Sequence, residues 1–127
     1  MGISVKTLLI IFIASGLGGI LRYAVQLFFK PYSLNFPTGT FIVNILGCLL
    51  IGAFYAFAEK NNMLSQEWRL ALTTGFCGGF TTFSAFAYEN MALLKTGNYT
   101  TFFLYTAGSV ILGIFAVFAG IFAVKLL

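Results

Sequence analysis

The sequence predicts an all-α membrane protein with four transmembrane helices, and three observations carry that reading. Of 127 residues, 60% are hydrophobic and 8% are charged, where a soluble domain carries about 25% charged residues. Seven basic and three acidic side chains are too few to cover the surface that a chain this small leaves facing solvent. The apolar residues fall in four runs of about 20 residues or more, the length a helix needs to cross the hydrocarbon core. Those runs do not alternate polar and apolar, and they are about twice as long as a membrane-barrel strand. The expected organisation is a single domain over residues 1–127 with no soluble appendage.

Each element can be justified in order. The first run extends from Thr7 to about Phe29 and contains Arg22 about two-thirds of the way along. It lacks a small-residue cleavage site followed by a soluble domain, so it is expected to be a spanning helix and not a signal peptide. Lys30-Pro31-Tyr32-Ser33-Leu34-Asn35-Phe36-Pro37 then stops the helix with two prolines and turn formers. The second run, about Thr38 to Ala58, ends at Glu59-Lys60-Asn61-Asn62, read as a solvated loop. Ser65, with Glu67 and Trp68 behind it, resembles a helix start at the membrane interface. The third run is about Leu70 to Leu94, with Glu89 near its far end, and Lys95-Thr96-Gly97-Asn98 forms a turn. The fourth run, about Thr101 to Val124, is closed by Lys125.

Four spans put both ends of the chain on one side. That side carries Lys6, Lys60, Arg69 and Lys125 against Glu59 and Glu67; the other carries Arg22, Lys30 and Lys95 against Glu89. Both sides are therefore +2. The positive-inside rule orients a membrane protein through an imbalance of Lys and Arg, and here there is almost none. Insertion in both orientations is the physical expectation, with an antiparallel homodimer about a two-fold axis in the membrane plane as its natural product. A small bias or a partner fixing one orientation is the alternative.

The composition excludes several functions. The cations are scattered singly, which argues against a nucleic-acid surface. Cys48 and Cys77 lie inside apolar runs and read as buried free thiols; without His, a zinc site is not expected. There are no paired carboxylates, no nucleophile supported by His, and no phosphate loop. Gly16-x-Gly18-Gly19 and Gly75-x-x-Gly78-Gly79 lack the Walker lysine and follow no strand, so an enzyme is not expected.

The densest anomaly is Thr73-Thr74-Gly75-Phe76-Cys77-Gly78-Gly79-Phe80-Thr81-Thr82-Phe83-Ser84-Ala85-Phe86 in the third run. Gly-Gly weakens a helix, so a break at Gly78–Thr81 is expected near the midplane, tolerated where it is buried in protein or faces a polar cavity. In an antiparallel dimer such a break would face its own copy, and converging carbonyls would bind a small cation such as Na⁺. Close packing through Gly75-x-x-x-Gly79 explains the glycines equally, but not the Thr-Thr-Phe-Ser that follows. Phe83 and Phe86 share a helix face; Thr82 and Ser84 flank the first of them. Aromatic edges are weakly positive and would attract a desolvated anion without a full charge. Thr40 and Asn44 share a face of the second run, which Gly47 and Cys48 continue, and Tyr105, Ser109, Gly113 and Ala116 form a stripe on the fourth. Each stripe serves either interhelical hydrogen bonding and packing or a neutral polar pathway. Arg22 and Glu89 are the charges deep inside runs, either snorkelling to the interface or acting at a vestibule.

These residues resemble the small dual-topology fluoride channels of the Fluc or CrcB family. The likeness covers the whole chain and is strongest in Gly39-Thr40-Phe41-Ile42-Val43-Asn44, in Thr74 to Phe86, and in Gly18-x-x-x-Arg22-Tyr23. It implies an antiparallel homodimer in the cell (inner) membrane with two pores, each lined by both subunits, passively exporting F⁻ and lowering cytoplasmic fluoride. It implies that Phe83 and Phe86 offer ring edges to permeating F⁻, with Asn44 donating from its amide, Ser84 adding a hydroxyl donor, and Thr82 also on the pathway. A structural Na⁺ at the dimer centre would be held by the backbone carbonyls of Gly78 and Thr81. Tyr105 and Ser109 would begin a polar track whose third position, a serine in some members, is Gly113 here, shortening the track. Thr40, Tyr105 and Glu89 resemble the family's vestibule group, and Arg22 its basic residue near the pore mouth. Two other classes compete. A small multidrug-type proton-coupled cation exchanger would need a membrane carboxylate, and Glu89 is the single candidate. An accessory subunit would carry no flux by itself.

Overall fold

The computed structural model describes residues 2–62 and 64–127, so Met1 and Met63 of the expected domain lie outside the described residues. Four helical spans are long and apolar enough to cross a membrane. Helix α1, Val5–Phe28, starts where the Ser4 hydroxyl accepts the Thr7 N–H at 3.1 Å. It ends at the connector with the two prolines, which forms one short 3-10 turn at Lys30–Tyr32. Helix α2, Thr38–Asn61, runs through Glu59 and Lys60, residues expected in a loop, and stops where Asn62 takes the left-handed conformation at φ 47°. Asn tolerates that region better than most residues and so terminates helices.

The third span, Gln66–Lys95, is not one helix. Its first half, α3 (residues 66–80), begins at the Ser65 cap, whose hydroxyl accepts the Trp68 N–H at 3.3 Å. Residues Ala71–Cys77 are wound as a π-helix; the Gly78 N–H reaches back five residues to the Thr73 carbonyl. The chain then leaves helical geometry at Thr81 (φ −89°, ψ 160°) and Thr82 (φ −149°, ψ 117°). Helix α4, Phe83–Lys95, restarts with the Thr82 hydroxyl accepting the Ala85 N–H at 3.2 Å. The break therefore falls at the middle of the 30-residue span, as expected, but at the Thr-Thr pair and not at Gly-Gly. Gly78 and Gly79 stay helical. A turn through Gly97, at φ 77°, leads to α5, Tyr99–Lys125.

Glycine fixes how the helices meet. Helix α1 lies on α3, and a Cβ on Gly18 would strike the Phe76 carbonyl, while one on Gly79 would strike the Ser15 carbonyl. The Gly75 side of the same face would meet Ala14 Cβ at 2.6 Å. The expected small-residue packing of Gly75 and Gly79 is thus an α1–α3 contact. Helices α2 and α5 form the most extensive pair, with Gly52 against the Val117 carbonyl and Gly120 against that of Leu49. Most other large apolar side chains face outward, as a lipid-solvated chain permits.

Candidate functional site

The break assembles the site. Leaving the helix at Thr81 frees backbone groups that must find partners inside a membrane. Asn44 of α2 supplies two of them: its Oδ1 accepts the Thr82 N–H at 2.8 Å and its Nδ2 donates to the Thr82 carbonyl at 3.1 Å. The Asn44 amide thus clamps one peptide unit of the third span. Arg22 of α1 supplies another, its Nε donating to the Gly79 carbonyl at 3.0 Å. In an unbroken helix the Gly78 and Thr81 carbonyls would accept from Thr82 and Ala85. Those N–H groups go instead to Asn44 Oδ1 and Thr82 Oγ1. The two carbonyls expected to hold a cation are thus among those that have lost their helical donors at the break.

An open groove of about 370 Å³ runs along this break. Asn44, Thr82, Phe83, Phe86 and Ser109 line it, together with Gly78, Thr81, Cys48 and Cys77, and no charged residue does. Ser109 Oγ is buried without a hydrogen-bond partner. The Phe83 and Phe86 rings lie 5.8 Å apart, and Phe83 is 79% exposed at the outer edge of the groove. Ser84 lies beside it, exposed, with its hydroxyl 3.4 Å from Thr82 Oγ1. Both cysteines are free thiols. Gly113 is buried on α5, where a Cβ would stand 3.4 Å from Cys48 Sγ.

A second cavity of about 640 Å³ opens toward the Lys30–Asn98 end. Gln26, Lys30, Thr40, Glu89 and Thr101 are among its lining residues. Here Thr40 Oγ1 donates to Glu89 Oε2 at 2.8 Å and the Tyr105 hydroxyl donates to Glu89 Oε1 at 2.8 Å. Gln26 Nε2 donates to Thr40 Oγ1 at 3.2 Å. Tyr105 is fully buried, its ring 5.0 Å from Phe86 and 5.3 Å from Phe36. Phe86 therefore borders both the groove and the aromatic wall under the Glu89 cluster. Thr40, Tyr105 and Glu89 come together as the resemblance implies. Arg22 does not join them: it lines neither cavity and faces the α1–α3 contact.

Two polar contributors were not singled out from the sequence. Gln26 lies four residues beyond Arg22, on the same face of α1, which the helical period would have shown. Asn90 of α4 is buried and its Oδ1 accepts from the Thr106 hydroxyl at 3.1 Å. An amide next to Glu89 in an apolar run carries the same signal that marked Asn44.

Four apolar spans, with the third broken at its middle and an uncharged groove along the break, define a small multi-pass membrane protein. The chain belongs to the CrcB family: the family described as CrcB-like protein, Camphor Resistance, matches residues 9–121. A protein of Phocaeicola vulgatus named fluoride-specific ion channel FluC is 50% identical over 117 residues, covering 91% of this chain and 96% of its own. Proteins of the same name from Flavobacterium psychrophilum and Leptospira interrogans are 45% and 41% identical over 121 residues. Each alignment covers 94% of this chain, with 98% and 95% of the respective relative. The family is one of ion channels, not enzymes.

Proposed function

We propose that this protein is a fluoride-selective channel that lets F⁻ leave the cytoplasm down its gradient. The observation that carries the reading is the groove in which Asn44, Thr82, Phe83, Phe86 and Ser109 meet with no charged neighbour. The names of the relatives supply the ion. Fluoride is small and strongly hydrated, so its passage needs donors that replace water. Neutral hydroxyls, an amide and ring edges do this without holding the ion too tightly to release it. Asn44 is already bound to Thr82, so it contributes chiefly by holding the break open, with its second Nδ2 hydrogen left for the ion.

The working unit is an antiparallel homodimer in the cell (inner) membrane, inserted in both orientations, with two pores that each draw residues from both subunits. Equal charge on the two sides supports dual insertion. The exposure of Phe83 at the edge of the groove supports completion of the wall by a second copy. A Na⁺ ion fits the diverted carbonyls of Gly78 and Thr81, which are neutral oxygen donors suited to a hard monovalent cation. It would supply positive charge that binds two copies of the break together. The exchanger reading gains nothing from the structure, because both oxygens of Glu89 are engaged by hydroxyl donors.

The test is direct. Purified protein in liposomes loaded with fluoride should release F⁻ to an external electrode, with chloride retained. Equal passage of both anions would overturn the selectivity, and no release would overturn the channel.

A further inference from the structure

Helix α4 begins at a break, so its rotation and height are not inherited from α3. Beside the Phe86–Tyr105 ring contact, a few polar ties hold it to the rest of the molecule. At its start, Thr82 is clamped by Asn44. Further along, two adjacent rungs join it to α5: Glu89 to Tyr105, and Asn90 to Thr106. Both rungs link residues 16 apart in sequence, so they act as successive teeth of one register between the same two helices. Asn90 is 7% exposed and is the buried residue of α4, although an amide is the costlier side chain to place inside a membrane span. Its neighbour Glu89 lines the larger cavity. The second tooth, between Asn90 and Thr106, borders neither cavity.

We infer that Asn90 and Thr106 are positioning residues for conduction. Their hydrogen bond fixes the register of α4 on α5, and thereby sets Phe86 against Tyr105 and keeps Glu89 within reach of the Tyr105 hydroxyl. Neither residue lines the groove or the vestibule. Their effect on flux would therefore pass through Phe86 and Glu89. The inference rests on the channel reading above.

Near-isosteric variants test it, Thr106→Val, Asn90→Leu and the double variant, together with the exchanged pair Asn90→Thr with Thr106→Asn. Each is reconstituted for fluoride-electrode flux, and its thermal unfolding is followed in detergent. Each single variant should lower F⁻ release at least tenfold. The double variant removes both polar partners, so its unfolding temperature should recover toward the parent while its flux stays low. The exchanged pair should restore flux to within about threefold. Single variants with parental flux would overturn the inference. So would a double variant whose flux recovers together with its stability, because the tie would then be structural alone. If the parent protein itself releases no F⁻, the channel reading fails. Hydrogen exchange of residues 83–95 then decides the register separately: exchange slow in the parent and exchanged pair but fast in the singles supports it, and equal exchange overturns it.

Discussion

Both ends of the Asn44 amide are taken by the peptide unit of Thr82, and one arm of Arg22 by the Gly79 carbonyl. Side chains from two other helices thus replace hydrogen bonds that the broken third span no longer makes for itself. Replacing Asn44 by Leu leaves the Thr82 N–H and C=O bare, at about 1–3 kcal/mol for each buried unsatisfied group. Thermal unfolding of the solubilised variant should show that loss, and its F⁻ release should fall at least tenfold. The need for a partner to Asn44 was legible in the sequence, because an amide in an apolar run must be satisfied. Which partner it takes was not, since the spacing of Asn44 and Thr82 along the chain says nothing of their meeting. Arg22 shows the same limit: the sequence marks a cation in a spanning run, and only the structure shows its Nε donating to the Gly79 carbonyl.

At the scale of elements, the glycines divide by what surrounds them. Gly18 and Gly79 sit where α1 and α3 touch backbone to backbone, while Gly16, on the same helix as Gly18, has no atom within 4 Å of a would-be Cβ. Gly18→Ala and Gly79→Ala should each destabilise the fold by about 1–3 kcal/mol or more through overpacking. Gly16→Ala should leave the unfolding temperature unchanged or raise it, since Ala is the better helix former. Thermal scans of the three variants separate the cases. The Gly-Gly pair drew the sequence reading of a break toward residues 78–81. Those glycines instead serve close packing, and the helix leaves its path at Thr81 and Thr82, which have side-chain hydroxyls to cap both ends. Thr81 Oγ1 returns to the Cys77 carbonyl at 3.0 Å, and Thr82 Oγ1 starts α4. β-branched residues favour extended backbone, which is the physical reason the break settles there.

At the scale of the molecule, the charges are few and evenly shared between the two ends. On the proposed reading this balance lets the chain insert both ways and meet its inverted copy. Asn62→Lys with Gln66→Lys biases one end, and Ser33→Lys with Asn98→Lys biases the other. Either variant expressed alone should lose dimer and fluoride efflux, and the two expressed together should regain both. Labelling from each side of the membrane of a cysteine introduced in the exposed turn, Thr96→Cys, reads the orientations. Parental efflux from a chain locked in one orientation would overturn the antiparallel unit.

The sequence by itself determined the solvent, the number of spans, the balance of charge and the polar stripes of α2, α4 and α5, because these follow from residue type and helical period. The likeness to fluoride channels was legible there too. The tertiary structure decided where the third span breaks, which residues repair the break, and that Thr40, Glu89 and Tyr105 close on one another while Arg22 turns away. Such choices depend on which helices touch. In a membrane, contacts are selected by close packing and by the need to satisfy every backbone group.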